Sequence, residues 1–254
     1  HQFCFGDSNG CASGGNLEEA ILQGTLELIE RDAISQWWYN RLALPAADLS
    51  GVDTKIVDSM ERYCNEHGLT FEVLDLTADL GIPVAACVTA RASDGGAITI
   101  GFGAHLDPVV ASTRALTEVS QLLPFNDQGE FALDGDKFTA AKDWYDTAFL
   151  EQHPYLKAAD ADRADLAPGL GDVASIDQAV RFCVDRLAEF DLELIVHDFD
   201  RKDVPLSAVR TAVPGICHFW NRRGNPRLYE APVRAGRLDK PLTEDELNPI
   251  SFYV

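Results

Sequence analysis

Residues 6–39 read GDSNGCASGGNLEEAILQGTLELIERDAISQWWY, and the architecture turns on how this stretch is parsed. Gly6-Asp7-Ser8-Asn9-Gly10 has the form G-x-S-x-G, the pattern of a nucleophile elbow, in which a strand turns sharply into a helix beginning beside the serine. A strand over Gln2–Phe5 would meet the first requirement. The second is not met, because Cys11-Ala12-Ser13-Gly14-Gly15 intervenes and the helical pattern begins only at Asn16. The sequence places no Asp/His pair to serve Ser8 either. Ser8 is therefore read as a loop residue, and the stretch as a glycine-rich loop feeding a long helix from Asn16 to about Tyr39.

Asn16 is a good N-cap, with Glu19 three residues on where a capping box puts its acid. At about 100° per residue, Glu19, Gln23, Glu27 and Glu30 fall within an arc of roughly 80°. Ile21, Leu22, Leu26, Leu28 and Ile29 occupy the other side, which predicts a helix whose acidic stripe is turned away from the core. Two readings of the stripe stay open. It is a solvated face, or it supplies oxygen ligands to a hard cation such as Mg²⁺. Like charges three and four residues apart repel, and Arg31 is the nearby cation.

Outward from this helix, the pattern predicts a helix from about Thr54 to His67 and strands at Phe71–Leu76, Val84–Ala90 and Ala97–Phe102. Asp107-Pro108 reads as an N-cap followed by proline at the first helical position, opening a helix that Pro124 is expected to stop. On that helix Arg114, Glu118 and Gln121 share a face, suited to a phosphate and a metal or to an ordinary surface ion pair. Residues 126–172 read as polar and irregular, either an excursion over a site or a surface insertion. A helix from Ser175 to about Phe190 and strands at Glu193–His197 and Ser207–Val213 follow, and the tail from Tyr229 has little periodicity. Helices interleaved with strands predict a mixed α/β layered fold.

The 254 residues carry a formal net charge of −20, which argues against a general nucleic-acid binder while leaving room for one metal-neutralised nucleotide. No apolar run is long enough for a bilayer, and the expectation is a soluble, cytoplasmic protein. The six cysteines form no CxxC pair and read as reduced thiols. Cys64-Asn-Glu-His67 lacks a second ligand pair and reads as one turn of a surface helix. A GxxxxGK[ST] motif is absent, so this is no Walker-type nucleotide site, and Gly101-Phe102-Gly103 is too short for a dinucleotide fingerprint.

Three stretches together carry a resemblance: SNGCASGGNLEEAILQGTLELIERDA, GFGAHLDPVVASTRALTEVSQLLP and VPGICHFWNRRGNPRLYEAPV. In this order they resemble the YcaO superfamily, and within it the azoline-forming cyclodehydratases of thiazole/oxazole-modified peptide biosynthesis. The resemblance implies one YcaO-like catalytic domain over residues 1–254, lacking its N-terminal part, with a Walker-free ATP fold. It implies ATP and Mg²⁺ as cofactors and phosphorylation of a peptide amide oxygen after a Cys, Ser or Thr side chain has attacked the preceding carbonyl, leaving a thiazoline or oxazoline. By position, Gln23, Glu27, Glu30, Arg114 and Glu118 resemble nucleotide-binding residues, with Glu27, Glu30 and Glu118 toward the metal and Arg41 toward a phosphate. The carboxylate of Val254 is a hypothetical catalytic group. The partners implied are a precursor peptide, an E1-like leader-peptide-binding protein or domain, a flavin-dependent azoline dehydrogenase and a second copy in a homodimer; no nucleic acid or membrane is expected. Thioamidation, amidine formation and a non-catalytic peptide-presenting scaffold remain as alternatives.

Overall fold

The computed structural model describes residues 7–127, 136–160, 175–199, 201 and 203–252. The proposed strand at Gln2–Phe5 and residue Val254 lie outside the described residues. The long helix, α1, spans Leu17–Asn40, with the Asn16 side chain accepting the Glu19 N–H at 2.8 Å. The Glu19 carboxylate in turn accepts the Gly15 N–H at 2.7 Å, so this acid serves the cap.

Two three-stranded antiparallel sheets flank α1. One has the order β1-β6-β5, with β1 at Cys11–Gly14, β5 at Ile195–Asp198 and β6 at Ser207–Ala212. The other has the order β2-β3-β4, with β2 at Leu69–Asp75, β3 at Val84–Arg91 and β4 at Thr99–Ala104. Helix α2 spans Thr54–His67 and α3 spans Pro108–Asp127, packed on β3 and β4. Helices α4, α5 and α6 span Asp136–Thr147, Ile176–Ala188 and Arg227–Arg234.

Every residue of α1 from Asp32 to Asn40 is buried. Trp37, Trp38 and Tyr39 form the centre of an aromatic core that also takes in Phe102, Tyr155, Phe219 and Phe252. A helix enclosed on nearly all sides cannot keep a strict polar face, and the expected stripe turned away from the core is corrected here. Gln23, Glu27 and Glu30 are only partly exposed.

Four further expectations are corrected. Pro124 does not stop α3; it stands exposed in the last turn and the helix continues to Asp127. A proline this near the end removes little of the hydrogen-bond ladder. The stretch 126–172 contains α4 and a buried 3₁₀ turn at Pro154–Leu156, where Tyr155 and Leu156 enter the core. The tail contains α6, and the glycine-rich stretch after Ser8 contains β1, paired antiparallel with β6. The strand after Ser8 also disposes of the elbow, which requires a helix there.

Candidate active site

The shared face of α1 and the shared face of α3 meet at β4. Gly101 and Gly103 make this possible. A Cβ on Gly101 would lie 2.3 Å from Val119 N, and one on Gly103 would lie 2.2 Å from Ala111 O, so α3 sits directly on the strand backbone. The Gly-Phe-Gly sequence is thus a packing device. At this separation Glu118 accepts the Phe102 N–H, and Arg114 Nη1 donates to Ala104 O at 2.9 Å.

Arg114 Nη2 donates to Gln23 Oε1 at 3.0 Å, which joins α3 to α1 across 91 positions of sequence. One turn along α1, Glu27 Oε2 accepts the Gly10 N–H at 3.0 Å, and Arg31 bridges Glu27 and Glu30 at 3.5 and 3.2 Å. The Arg31 guanidinium lies over the Phe219 ring, 4.8 Å from its centroid. Gln23, Glu27, Glu30, Arg114 and Glu118 are therefore brought together. Gln121, predicted on the same face of α3, is exposed beyond the group.

Three carboxylates share this small volume with two guanidinium groups. Burial pushes the Glu30 carboxyl up to about 7; Arg31 opposes the rise, while Glu118 and Glu27 add to it. Burial also raises Glu118, against the pull of the Phe102 N–H and Arg31. A buried acid held against its own ionisation gains from an added cation, and the oxygen-rich donor set suits a hard one. Among the described residues no three His, Cys, Asp or Glu side chains form a self-sufficient metal cage. Mg²⁺ does not require one, because it is commonly held by one or two carboxylates together with substrate phosphates. The residues present fit a nucleotide–Mg²⁺ complex.

Arg41 is placed elsewhere. It closes α1 in the left-handed conformation, φ 49°, and donates to Glu246 O and Leu247 O at 3.2 and 3.5 Å. It lies eleven positions beyond Glu30, about 16 Å along the helix axis. Arg31, noted in the sequence only as a neighbouring cation, lies against Glu27 and Glu30. Cys64 and His67 do not form a metal site: Cys64 is buried against Met60, and His67 Nδ1 lies 2.8 Å from Tyr63 O. The Gly10 amide escaped sequence reasoning because backbone donors leave no mark in residue type.

The tail returns to the site along α1. Asn248 N–H donates to Tyr39 O at 2.7 Å, Trp38 Nε1 donates to Ile250 O at 2.8 Å, and Phe252 packs on Phe102 and Phe219 with centroids 5.6 and 5.7 Å apart. Phe102 carries the amide bound to Glu118, and Phe219 carries Arg31.

Known proteins resemble this chain in sequence and fold. A heterocyclase in complex with substrate and cofactor is 43% identical and superimposes with a TM-score of 0.88, covering 100% of this chain and 34% of that one. The heterocyclase TruD is 41% identical, with a TM-score of 0.83 over 98% of this chain and 34% of its own. YcaO from Methanopyrus kandleri bound with AMPPCP and Mg²⁺ is 25% identical, with a TM-score of 0.60 over 83% of this chain and 56% of its own. The chain spans about half the length of the curated relatives it matches, 55% and 52% in two cases at 32% and 30% identity. Residues 1–217 match the family model described as YcaO cyclodehydratase, ATP- and Mg²⁺-binding, and the chain belongs to the YcaO family.

Proposed function

We propose that this chain carries the nucleotide site of an ATP-dependent peptide cyclodehydratase, which converts Cys, Ser or Thr residues of a ribosomal precursor peptide to thiazolines or oxazolines. The observation that carries the reading is the meeting of Gln23, Glu27 and Glu30 on α1 with Arg114 and Glu118 on α3 around a buried acid pushed up to about 7. When bound, ATP–Mg²⁺ supplies the phosphoryl group that turns the peptide amide oxygen into a leaving group. Carboxylates among Glu27, Glu30 and Glu118 would hold metal together with the phosphates, and Arg31 and Arg114 would neutralise phosphate charge. Phosphoryl transfer asks mainly for positioning and charge stabilisation, so the chain needs no nucleophile of its own there. The similarity to heterocyclases at 43% and 41% identity supports the cyclodehydratase chemistry over other uses of the same nucleotide site.

The direct test combines the intact protein, ATP–Mg²⁺, a Cys/Ser/Thr-rich precursor peptide and a leader-binding protein or domain, with the peptide's intact mass as readout. Successive losses of one water each, abolished by Glu30→Gln in a folded variant, are expected. ATP binding with no loss of water from the peptide would overturn the cyclodehydratase reading in favour of thioamidation or another nucleophile. Absence of ATP binding would overturn the nucleotide site itself.

A further inference from the structure

His218 has a buried donor that the fold does not use. The residue is 9% exposed, and its ring lies against those of Phe219 and Trp220, with centroids 4.7 and 4.5 Å away. Nδ1 accepts the Trp220 N–H at 3.0 Å. That bond requires a lone pair on Nδ1 and therefore puts the ring proton of the neutral imidazole on Nε2. Nε2 is buried and has no hydrogen-bond partner among the described residues.

An unmet buried donor costs free energy, and in native structures such groups mark sites completed by something else. The surroundings identify what that is. Phe219, the next residue, supports the Arg31 guanidinium, and the charges of Arg31, Arg222 and Asp7 all bear on the imidazole. Asp7 is engaged through Oδ1, which accepts from Asn9 N–H, Asn9 Nδ2 and Arg210 at 3.0, 3.0 and 3.2 Å, and no hydrogen bond joins it to the imidazole. Burial, with help from Arg222, lowers His218 to about 4, so the ring is a neutral donor at physiological pH. Two arginines beside a neutral N–H select an anionic oxygen.

We infer that His218 is a ligand-binding residue of this same site, whose Nε2–H donates to an anionic oxygen of the bound nucleotide's phosphates or of the reacting peptide. The inference rests on the nucleotide-site reading above. It lies outside what the family match assigns, because that match ends at residue 217. No bond is made or broken at the imidazole, and its proton stays on Nε2.

The test uses the intact protein with ¹⁵N-labelled histidine, titrated first with ATP–Mg²⁺ and then with precursor peptide. The Nε2–H resonance of His218, assigned by its absence from the His218→Gln spectrum, should move on binding. Movement with nucleotide alone identifies a phosphate oxygen; movement only after peptide is added identifies a peptide oxygen. His218→Phe, which keeps a ring and drops the donor, should weaken the corresponding step about ten- to hundredfold, the loss expected for a hydrogen bond to a charged acceptor. His218→Gln, which restores an N–H, should retain most of it. If wild type binds ATP–Mg²⁺ and Glu30→Gln does not, yet the His218 resonance stays fixed through both additions, the inference is wrong while the nucleotide site stands. Equal loss in the Phe and Gln variants would also overturn it, as purely structural. Should the Phe variant fail to fold, the wild-type titration decides.

Discussion

Arg114 and Gln23 are joined by a 3.0 Å hydrogen bond from Nη2 to Oε1, and this bond is the side-chain link that closes α3 onto α1 at the carboxylate group. The same guanidinium holds the end of β4 through Ala104 O at 2.9 Å. A planar fork fixed at two points is positioned before any ligand arrives. Arg114→Lys keeps the charge and loses the fork, so it should weaken ATP–Mg²⁺ binding by about tenfold or more in a protein that stays folded, with stability lowered by about 1–2 kcal/mol for the lost hydrogen bonds. Calorimetric titration of the two proteins checks this; unchanged affinity would remove Arg114 from the nucleotide site.

Glu30 gives the metal-free protein a pH dependence whose sign is fixed. Its folded-state pKa of about 7 lies above the ordinary 4.5, so the unfolded chain gives up this proton first as pH rises. The stabilisation is fully present below about 4.5 and is lost as pH climbs toward about 7. The side chain is 13% exposed, so solvent screening is modest, and the loss is on the order of 3 kcal/mol. Glu30→Gln should therefore melt higher than wild type at pH 8 without Mg²⁺ and lose that advantage at pH 5. A variant less stable at pH 8 would show that the ionised carboxylate is welcome in the metal-free fold.

Gly101→Ala tests the close approach of α3. The added Cβ would stand 2.3 Å from Val119 N and 2.9 Å from Ala115 O, both backbone atoms that cannot swing aside. The helix must move outward, taking Glu118 from the Phe102 N–H. Overpacking of this kind costs about 1–3 kcal/mol. Urea denaturation should show that loss, with weakened ATP–Mg²⁺ binding in the protein that remains folded. Stability equal to wild type would mean that α3 is less tightly seated than its contacts indicate.

Next to Arg31, about 100° round the helix, Asp32 enters a buried ion network. Arg227 donates to both Asp32 oxygens and to both Asp79 oxygens, and Cys217 N–H donates to Asp32 Oδ1 at 2.8 Å. The Asp32 and Arg227 side chains are 1% and 6% exposed. Asp32→Ala leaves the guanidinium half-paired and a buried amide unmet, which should cost about 3–5 kcal/mol. Because Cys217 leads directly into His218 and Phe219, the variant should also loosen the support under Arg31. Equilibrium unfolding gives the first effect. A loss below 1 kcal/mol would show that water replaces the carboxylate.

Local signals explain what was legible in the sequence. The Asn16 cap, the Asp107-Pro108 start and the 100° spacing of Gln23, Glu27 and Glu30 act within one or two helical turns, and α1 and α3 follow from them. Arg114 and Glu118 share a helix face for the same reason. What joins the two faces is tertiary: the Gly101 and Gly103 contacts with α3, and a Gly10 amide 17 positions from Glu27. Cys11–Gly14 has weak strand propensity and becomes β1 because β6 pairs with it. Helix α6 contains Pro232, and Arg227 on it is buried by the ion network with Asp32 and Asp79. Arg41 and Arg31 have the same chemistry; only the length of α1 between them separates a contact with the tail from a contact with Glu27 and Glu30.

Phe252 connects the tail to that site through the packing of its ring. Its ring lies 4.8 Å from Trp38, 5.6 Å from Phe102 and 5.7 Å from Phe219, and its N–H reaches Tyr39 OH at 3.3 Å. Truncating a buried Phe costs about 3–5 kcal/mol when the surroundings cannot yield. Here they can, because the tail can loosen as a unit once its aromatic anchor is gone and only its hydrogen bonds remain, which caps the loss at the tail's own docking energy. Phe252→Ala should therefore lower global stability by less than the cavity cost and strongly accelerate hydrogen exchange at the Asn248 amide, now bonded to Tyr39 O at 2.7 Å. The Glu19 amide, capped by Asn16 at the far end of α1, should keep its rate. Equal acceleration at both amides would mean that the tail and α1 unfold together, and the tail would then be part of the core instead of a strap laid on it.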